Sequence, residues 1–251
     1  MKKLWKVFAR LWSAWFLLLF AFSFLLQYPL YALLLHFPKF HALAHRLRVL
    51  WAWVLFVGTG LRLRIKREYR LTRNAPYIYC ANHASYLDIP VLAAAVPGTL
   101  HFMAKHELAK IPLFGLFFRT IDIAVPRGHN RGSHRAYELA AARLMAGGNI
   151  AIFPEGGILP GAPTLKPFKS GAFKLAMAHN IAVVPISLID NWQRLPDEPW
   201  PGLVPGCARV VVHQPLHPAD FNGDEDALRN KTHQIIETTL NTYHENRYRN
   251  R

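Results

Sequence analysis

In the stretch Tyr77-Ile-Tyr-Cys-Ala-Asn82-His83-Ala-Ser-Tyr-Leu-Asp88-Ile-Pro90, an apolar run ends at Asn-His and an acid follows five residues later. A histidine oriented by a carboxylate is a general base, able to take a proton from a hydroxyl so that the oxygen attacks a carbonyl. Five residues turn about 140° around an α-helix, so His83 and Asp88 cannot meet within one regular helix. They can meet if His83 sits in the turn after a strand and Asp88 opens a helix, where Pro90 is tolerated and the dipole favours an ionised carboxylate. The spacing alone is common by chance, and the plain alternative is that His83 ends a strand while Asp88 caps a helix.

A second constellation is Ala151-Ile-Phe153-Pro154-Glu155-Gly156-Gly157, a strand running into a glycine-rich turn whose N–H groups could converge on an anion. It is not a P-loop, since no Gly-Lys-Ser/Thr follows. Downstream, Lys166-Pro-Phe-Lys169-Ser-Gly171 places two lysines beside a helix start, an arrangement suited to phosphate. Solvated lysines after an ordinary β-turn are the simpler reading of both blocks.

These residues need a scaffold of strands ending in loops. From Arg73 onward, short β-rich runs alternate with helical patterns, which predicts an α/β fold. The predicted strands are 77–81, 100–104, 121–125, 149–153, 181–188 and 208–212. Predicted helices cover 133–145, stopped by Gly147-Gly148, then 170–179 and 224–243, the last opened by Asp224, Glu225 and Asp226. The proline-rich stretch 191–206 reads as a surface loop.

Taken together, the blocks resemble the PlsC-like glycerolipid acyltransferases, which include the 1-acyl-sn-glycerol-3-phosphate acyltransferases. The resemblance rests on Asn82-His83 with Asp88, Lys105 in Met-Ala-Lys-His-Glu-Leu, the run from Gly115 to Arg127, Phe153-Pro-Glu-Gly156, Pro167-Phe-Lys-Ser-Gly171 and Val184-Pro-Ile186, in the family's order over roughly residues 60–190. It implies a mixed sheet flanked by helices, with His83 as general base and Asp88 as its orienting partner. The reaction implied is transfer of a fatty acyl group from acyl-CoA or acyl-acyl-carrier protein to the hydroxyl of a lysophospholipid, with no acyl-enzyme. Neither Ser85 nor Cys80 is then a nucleophile, and no cofactor is implied because the thioester is a substrate. On the same basis Asn82, Lys105, Gly115, Arg119, Arg127, Glu155, Gly156, Gly157, Lys166 and Lys169 are candidate substrate-binding residues.

One departure bears on the acceptor. Where the family usually reads Phe-Pro-Glu-Gly-Thr-Arg, this chain has Gly157-Ile158, so the expected phosphate-clamping arginine is absent. Either Lys166, Lys169 or Arg119 supplies the charge, or the acceptor is not a simple phosphate monoester. Lysophosphatidic acid leads as acceptor, glycerol-3-phosphate and lyso-ornithine lipid are alternatives, and a non-catalytic lipid-binding protein of the same fold is disfavoured by the intact His83 and Asp88.

The charge is uneven. The chain of 251 residues carries a formal net charge of +15, but residues 1–73 hold 13 Lys and Arg against the single acid Glu68, leaving the rest nearly balanced. That basic segment surrounds two apolar runs, an uncharged stretch from Leu11 to Pro38 and a shorter one from Val49 to Leu61. The pattern predicts an anchor over residues 1–65, a hairpin or interfacial helix pair, or else one spanning helix, with Arg46, Arg48, Arg62, Arg64, Lys66 and Arg67 near anionic headgroups. The acyltransferase domain would then be residues 66–251, on the cytoplasmic face of a cell inner membrane. Membrane phospholipid and lysophospholipid are the expected partners. A nucleic-acid partner is disfavoured because no basic stripe interleaved with aromatics lies outside the anchor. Two cysteines, Cys80 and Cys207, are too few for a disulfide scaffold, no metal cluster is visible, and the sequence specifies no oligomeric state.

Overall fold

The structure, a computed structural model, describes residues 2–72, 75–126, 130–158, 164–196 and 204–249. Two helices come first, α1 (Lys2–His36) and α2 (His41–Gly58), joined by a 3-10 turn at Pro38–Phe40. They are antiparallel: Trp51 Nε1 donates to Ser23 Oγ at 2.9 Å, and Trp12 Nε1 to the Thr59 carbonyl at 3.1 Å. By length and composition alone, Val7–His36 and Pro38–Gly58 could each cross a membrane.

The remaining elements alternate as β1 (Leu61–Arg67), β2 (Ile78–Ala81), α3 (Asp88–Ala95), β3 (Leu100–Lys105), α4 (Gly115–Thr120), β4 (Ile123–Val125), α5 (Asn130–Met145), β5 (Asn149–Ile152), α6 (Gly171–His179), β6 (Val183–Leu188), α7 (Asn191–Arg194), β7 (Gly206–Val212) and α8 (Glu225–Arg249). One seven-stranded sheet has the order β1-β7-β6-β2-β5-β3-β4. The five strands from β6 to β4 are parallel, whereas β7 runs antiparallel to β6 and carries β1 parallel to itself. The sheet is therefore mixed.

Each face of the sheet buries its own core, which is why the central strands are apolar on both sides. Tyr79 and Ala81 of β2 face the core formed with Phe16, Ala52 and Phe56 of the hairpin and Val91 and Leu92 of α3. Ile78 and Cys80 face the opposite core, formed with α5, α6 and α8 through Ala140, Phe173 and Ile236. The hairpin continues along its face into a third cluster, where Phe24, Tyr31 and Leu55 pack on Phe117 and Ile121 around α4.

Two expectations are corrected. The boundary at 65/66 falls inside β1, whose alternating Leu61, Leu63 and Ile65 pack into the hairpin-side core, so residues 61–65 belong to the sheet rather than to the anchor. Arg48 is not a headgroup contact: its side chain is 9% exposed and pairs with Asp122 at 2.8 Å, joining α2 to the segment before β4. Asp122 also accepts from the Phe102 backbone N–H at 2.9 Å, so the pair is held on both sides.

Candidate active site

The chain leaves β2 toward β3 on the hairpin side through α3, and leaves β5 toward β6 on the other side through α6. Adjacent strands β2 and β5 thus send their connections in opposite directions, and a crevice opens beyond their carboxyl ends. His83 follows β2 and Glu155 follows β5 at this switch point.

Asp88 opens α3 and is fully buried. Its Oδ2 lies 2.9 Å from His83 Nδ1 and accepts the backbone N–H groups of Ala84 at 2.8 Å and Ser85 at 2.9 Å. Its Oδ1 accepts from Asn191 Nδ2 at 2.7 Å. Four donors thus compensate one buried carboxylate. Since an ionised carboxylate only accepts, Nδ1 of His83 carries the proton, which leaves Nε2 as the basic nitrogen. Among the described residues nothing hydrogen-bonds Nε2. The ring stacks on Phe153, with centroids 4.0 Å apart and planes 16° apart, so it is fixed about both axes.

The other polar groups of this edge hold the loops. Asn82 forms a paired amide contact with the backbone of Leu188, donating to its carbonyl at 3.0 Å and accepting its N–H at 2.8 Å, which ties the end of β2 to the end of β6. Glu155 accepts the N–H of His83 on one oxygen at 2.8 Å and that of Lys166 on the other at 2.9 Å. Burial pushes its carboxyl above the usual carboxylate range, and these two N–H groups pull it partly back. Gly156 has φ +86°, and a Cβ there would lie 2.5 Å from Lys169 Nζ, so glycine lets the ammonium close over the turn.

The expected binding residues thus divide. His83, Asp88, Asn82, Glu155, Gly156 and Lys169 meet at the β2/β5 loops, with Gly157 continuing the same turn. Lys166 holds Glu155 through its backbone N–H rather than through its charge. Lys105 ends β3, exposed at the same sheet edge. Gly115 starts α4 where a Cβ would meet the Ala109 carbonyl at 2.5 Å, and Arg119 Nε donates to the Gly115 carbonyl at 3.2 Å. Among the described residues no hydrogen bond or ion pair links Lys105 or Arg119 to the His83–Asp88 pair. Arg127 lies outside the described residues.

Asn191 is the residue of this site that sequence reasoning missed. The stretch 191–206, read as a surface loop because of its prolines, begins with α7, and Asn191 is fully buried against Asp88. The available signal was position: a polar residue just beyond the carboxyl end of a buried parallel strand. Ser85 makes a related tie, its hydroxyl donating to the Leu195 carbonyl at 2.6 Å and accepting from the Leu87 N–H at 3.0 Å.

A doubly covered sheet with an Asp-oriented histidine at its switch point, and among the described residues no nucleophile hydrogen-bonded to that histidine, is an arrangement suited to general-base chemistry in an α/β enzyme. The chain belongs to the acyltransferase family, whose model matches residues 62–189. It is 30% identical to the 1-acyl-sn-glycerol-3-phosphate acyltransferase of Chlamydomonas reinhardtii over 89% of this chain and 69% of that protein. It is 29% identical to the lyso-ornithine lipid O-acyltransferase of Pseudomonas aeruginosa over 62% of this chain and 58% of that protein. The curated relatives it matches first are longer, the chain spanning between 49% and 69% of their lengths. The crystal structure of the 1-acyl-sn-glycerophosphate acyltransferase PlsC from Thermotoga maritima shares the fold, with a TM-score of 0.77 and 22% identity over 97% of this chain and 98% of that one.

Proposed function

We propose that the protein transfers a fatty acyl group from a thioester donor to the free hydroxyl of lysophosphatidic acid, giving phosphatidic acid for phospholipid synthesis. The observation that carries this reading is the His83 Nδ1–Asp88 Oδ2 contact of 2.9 Å, which leaves Nε2 directed away from its partner as a base. Nε2 takes the proton of the glycerol hydroxyl while that oxygen attacks the thioester carbonyl. As the tetrahedral adduct collapses, the C–S bond breaks and the imidazolium returns the proton to the departing thiolate, yielding ester and thiol. Cys80 stays outside this chemistry, being fully buried with its thiol pushed up by desolvation. Lys169 over Gly156 and Lys105 at the end of β3 supply positive charge for an acceptor phosphate, and Arg127 is assigned the same role by family position. The donor is acyl-CoA or acyl-acyl-carrier protein, and the site works on a cytoplasmic membrane surface where the acceptor resides.

The test is turnover of the purified chain in nanodiscs, with labelled acyl donor and lysophosphatidic acid. His83→Ala should lower kcat by about 10²–10⁴-fold with the thermal transition unchanged; near-normal turnover in that variant removes His83 from the mechanism.

A lyso-ornithine lipid acceptor is the second reading. It is favoured by Gly157-Ile158, which provides no guanidinium beside the turn, and by the likeness to the Pseudomonas aeruginosa enzyme. Offering lyso-ornithine lipid, glycerol-3-phosphate and lysophosphatidic acid in parallel separates these readings by kcat/KM.

A further inference from the structure

The fold divides the cations that flank the apolar runs. Strand β1 alternates, and since Leu61, Leu63 and Ile65 face the hairpin-side core, Arg62, Arg64 and Lys66 point to the opposite face of the sheet. All three are exposed on the outermost strand. Lys66 is engaged with Glu68 at 3.2 Å, whereas among the described residues Arg62 and Arg64 make no hydrogen bond or ion pair. Arg209, the cross-strand partner of Arg64, is already ion-paired with Asp190 at 2.6 Å. The exposed apolar side chains of the hairpin, among them Leu18, Phe22, Leu25 and Val57, lie beyond the other face. Arg62 and Arg64 therefore point away from any lipid surface that receives the hairpin, which corrects the expectation that they meet headgroups.

Their position relative to the site is favourable. The start of β1 lies at the edge of the sheet where β6 ends, because Leu61 pairs with Gly206 and Leu188 with Val210. Three strand spacings separate β1 from β2, so Arg62 stands roughly 15 Å from the strand that delivers His83. The two arginines project from one face of the outermost strand, two residues apart. A nucleotide needs donors converging in a concave site, whereas separated charges in a row suit the charged surface of a macromolecule.

We propose that Arg62 and Arg64 dock an acidic carrier protein that presents the acyl thioester on a flexible arm. This rests on the acyl-transfer reading and names its donor. Charge on an edge strand also discourages edge-to-edge pairing, but either sign of charge does that. Reversing the sign therefore tests docking while keeping the edge protected.

The experiment compares the full chain with Arg62→Glu/Arg64→Glu and Arg62→Gln/Arg64→Gln, in nanodiscs at low ionic strength. Donors are palmitoyl-acyl-carrier protein and palmitoyl-CoA. Binding of labelled acyl-carrier protein is followed by fluorescence anisotropy without turnover, and binding of phosphatidylglycerol vesicles by flotation. The reversal should weaken carrier-protein binding and lower kcat/KM for that donor about tenfold or more through KM, with a smaller loss for the glutamine variant. High salt should erase the difference, while kcat/KM with palmitoyl-CoA and vesicle flotation stay within twofold of the unaltered chain. Absence of salt-sensitive carrier-protein binding, an equal loss with palmitoyl-CoA, or a loss confined to vesicle flotation each overturns the proposal. Carrier-protein binding without turnover on any lysolipid would sink the acyl-transfer reading and leave the docking surface standing.

Discussion

Asp88 owes its fixed place to its four donors, with His83 and the Ala84 and Ser85 N–H groups on Oδ2 and Asn191 on Oδ1. Asn191 is then a positioning residue, since it touches Asp88 and not the reacting atoms. Asn191→Ala removes a donor to a buried charge and should lower kcat/KM roughly tenfold. The loss should fall on kcat and leave the KM of both substrates within about twofold, because the imidazole loses its alignment while the residues placed for binding keep their contacts. A loss explained by a lowered thermal midpoint would reduce Asn191 to a packing role. Gly156→Ala places a methyl where Lys169 Nζ now sits and imposes a left-handed φ on a residue with a Cβ. The acceptor KM should rise more than kcat falls, measured at saturating donor.

At the scale of elements, the edge strand β1 is held to β7 and β6 by a polar chain. Ser187 of β6 lies 2.9 Å from His213 Nε2, and His213 Nδ1 lies 2.8 Å from Glu68, which follows β1. Burial of His213 depresses its pKa below the ordinary 6.5, although Glu68 opposes that shift. His101, on β3, is likewise depressed by burial. A depressed histidine stabilises the fold above its unfolded pKa. As pH falls below about 6.5 the unfolded chain binds the proton first, and stability is lost progressively toward the folded pKa. The thermal midpoint should therefore decline between about pH 6.5 and 5, and His213→Gln should flatten part of that decline; an unchanged slope would exclude His213 from it.

Such ties explain what the sequence made legible. The strands at 78–81, 149–152 and 183–188 were readable because they are buried on both faces and so apolar but for Asn149 and Ser187. The His83–Asp88 partnership was readable because a strand end, a turn and a helix start fall within one short segment. Strand β1 was hidden because Leu-Arg-Leu-Arg-Ile-Lys-Arg carries two signals at once, alternation and a cluster of positive charge, and the charge was read as an anchor flank. Asn191 was hidden because its contact with Asp88 spans 103 positions, a separation that no local pattern encodes.

At the scale of the whole molecule, the hairpin covers the sheet. One face of α1 and α2 packs on α3, α4 and the sheet, and the other exposes an apolar band from Leu4 to Leu33 along α1 and from Leu43 to Val57 along α2. Because the body is attached along this length, we propose that the band lies in the plane of a bilayer rather than through it. Spin labels at Leu11, Phe22 and Leu33 should report similar immersion depths in vesicles; depths that diverge by the ~33 Å between the first and last would demand a spanning helix. Arg48→Met should leave Asp122 buried and unpaired, costing about 3–5 kcal/mol of stability, read by chemical denaturation in detergent.

That ion pair also sets a schedule for biosynthesis. Arg48 is made 74 residues before Asp122, and the aromatic face of α1 is made well before Phe117. A chain growing from its N-terminus therefore holds an orphan guanidinium and an uncovered aromatic surface until the segment around α4 leaves the ribosome. During that interval lipid or a chaperone has to shelter the hairpin, so slowing elongation between residues 58 and 122 should increase aggregation in cells more than slowing it near α8.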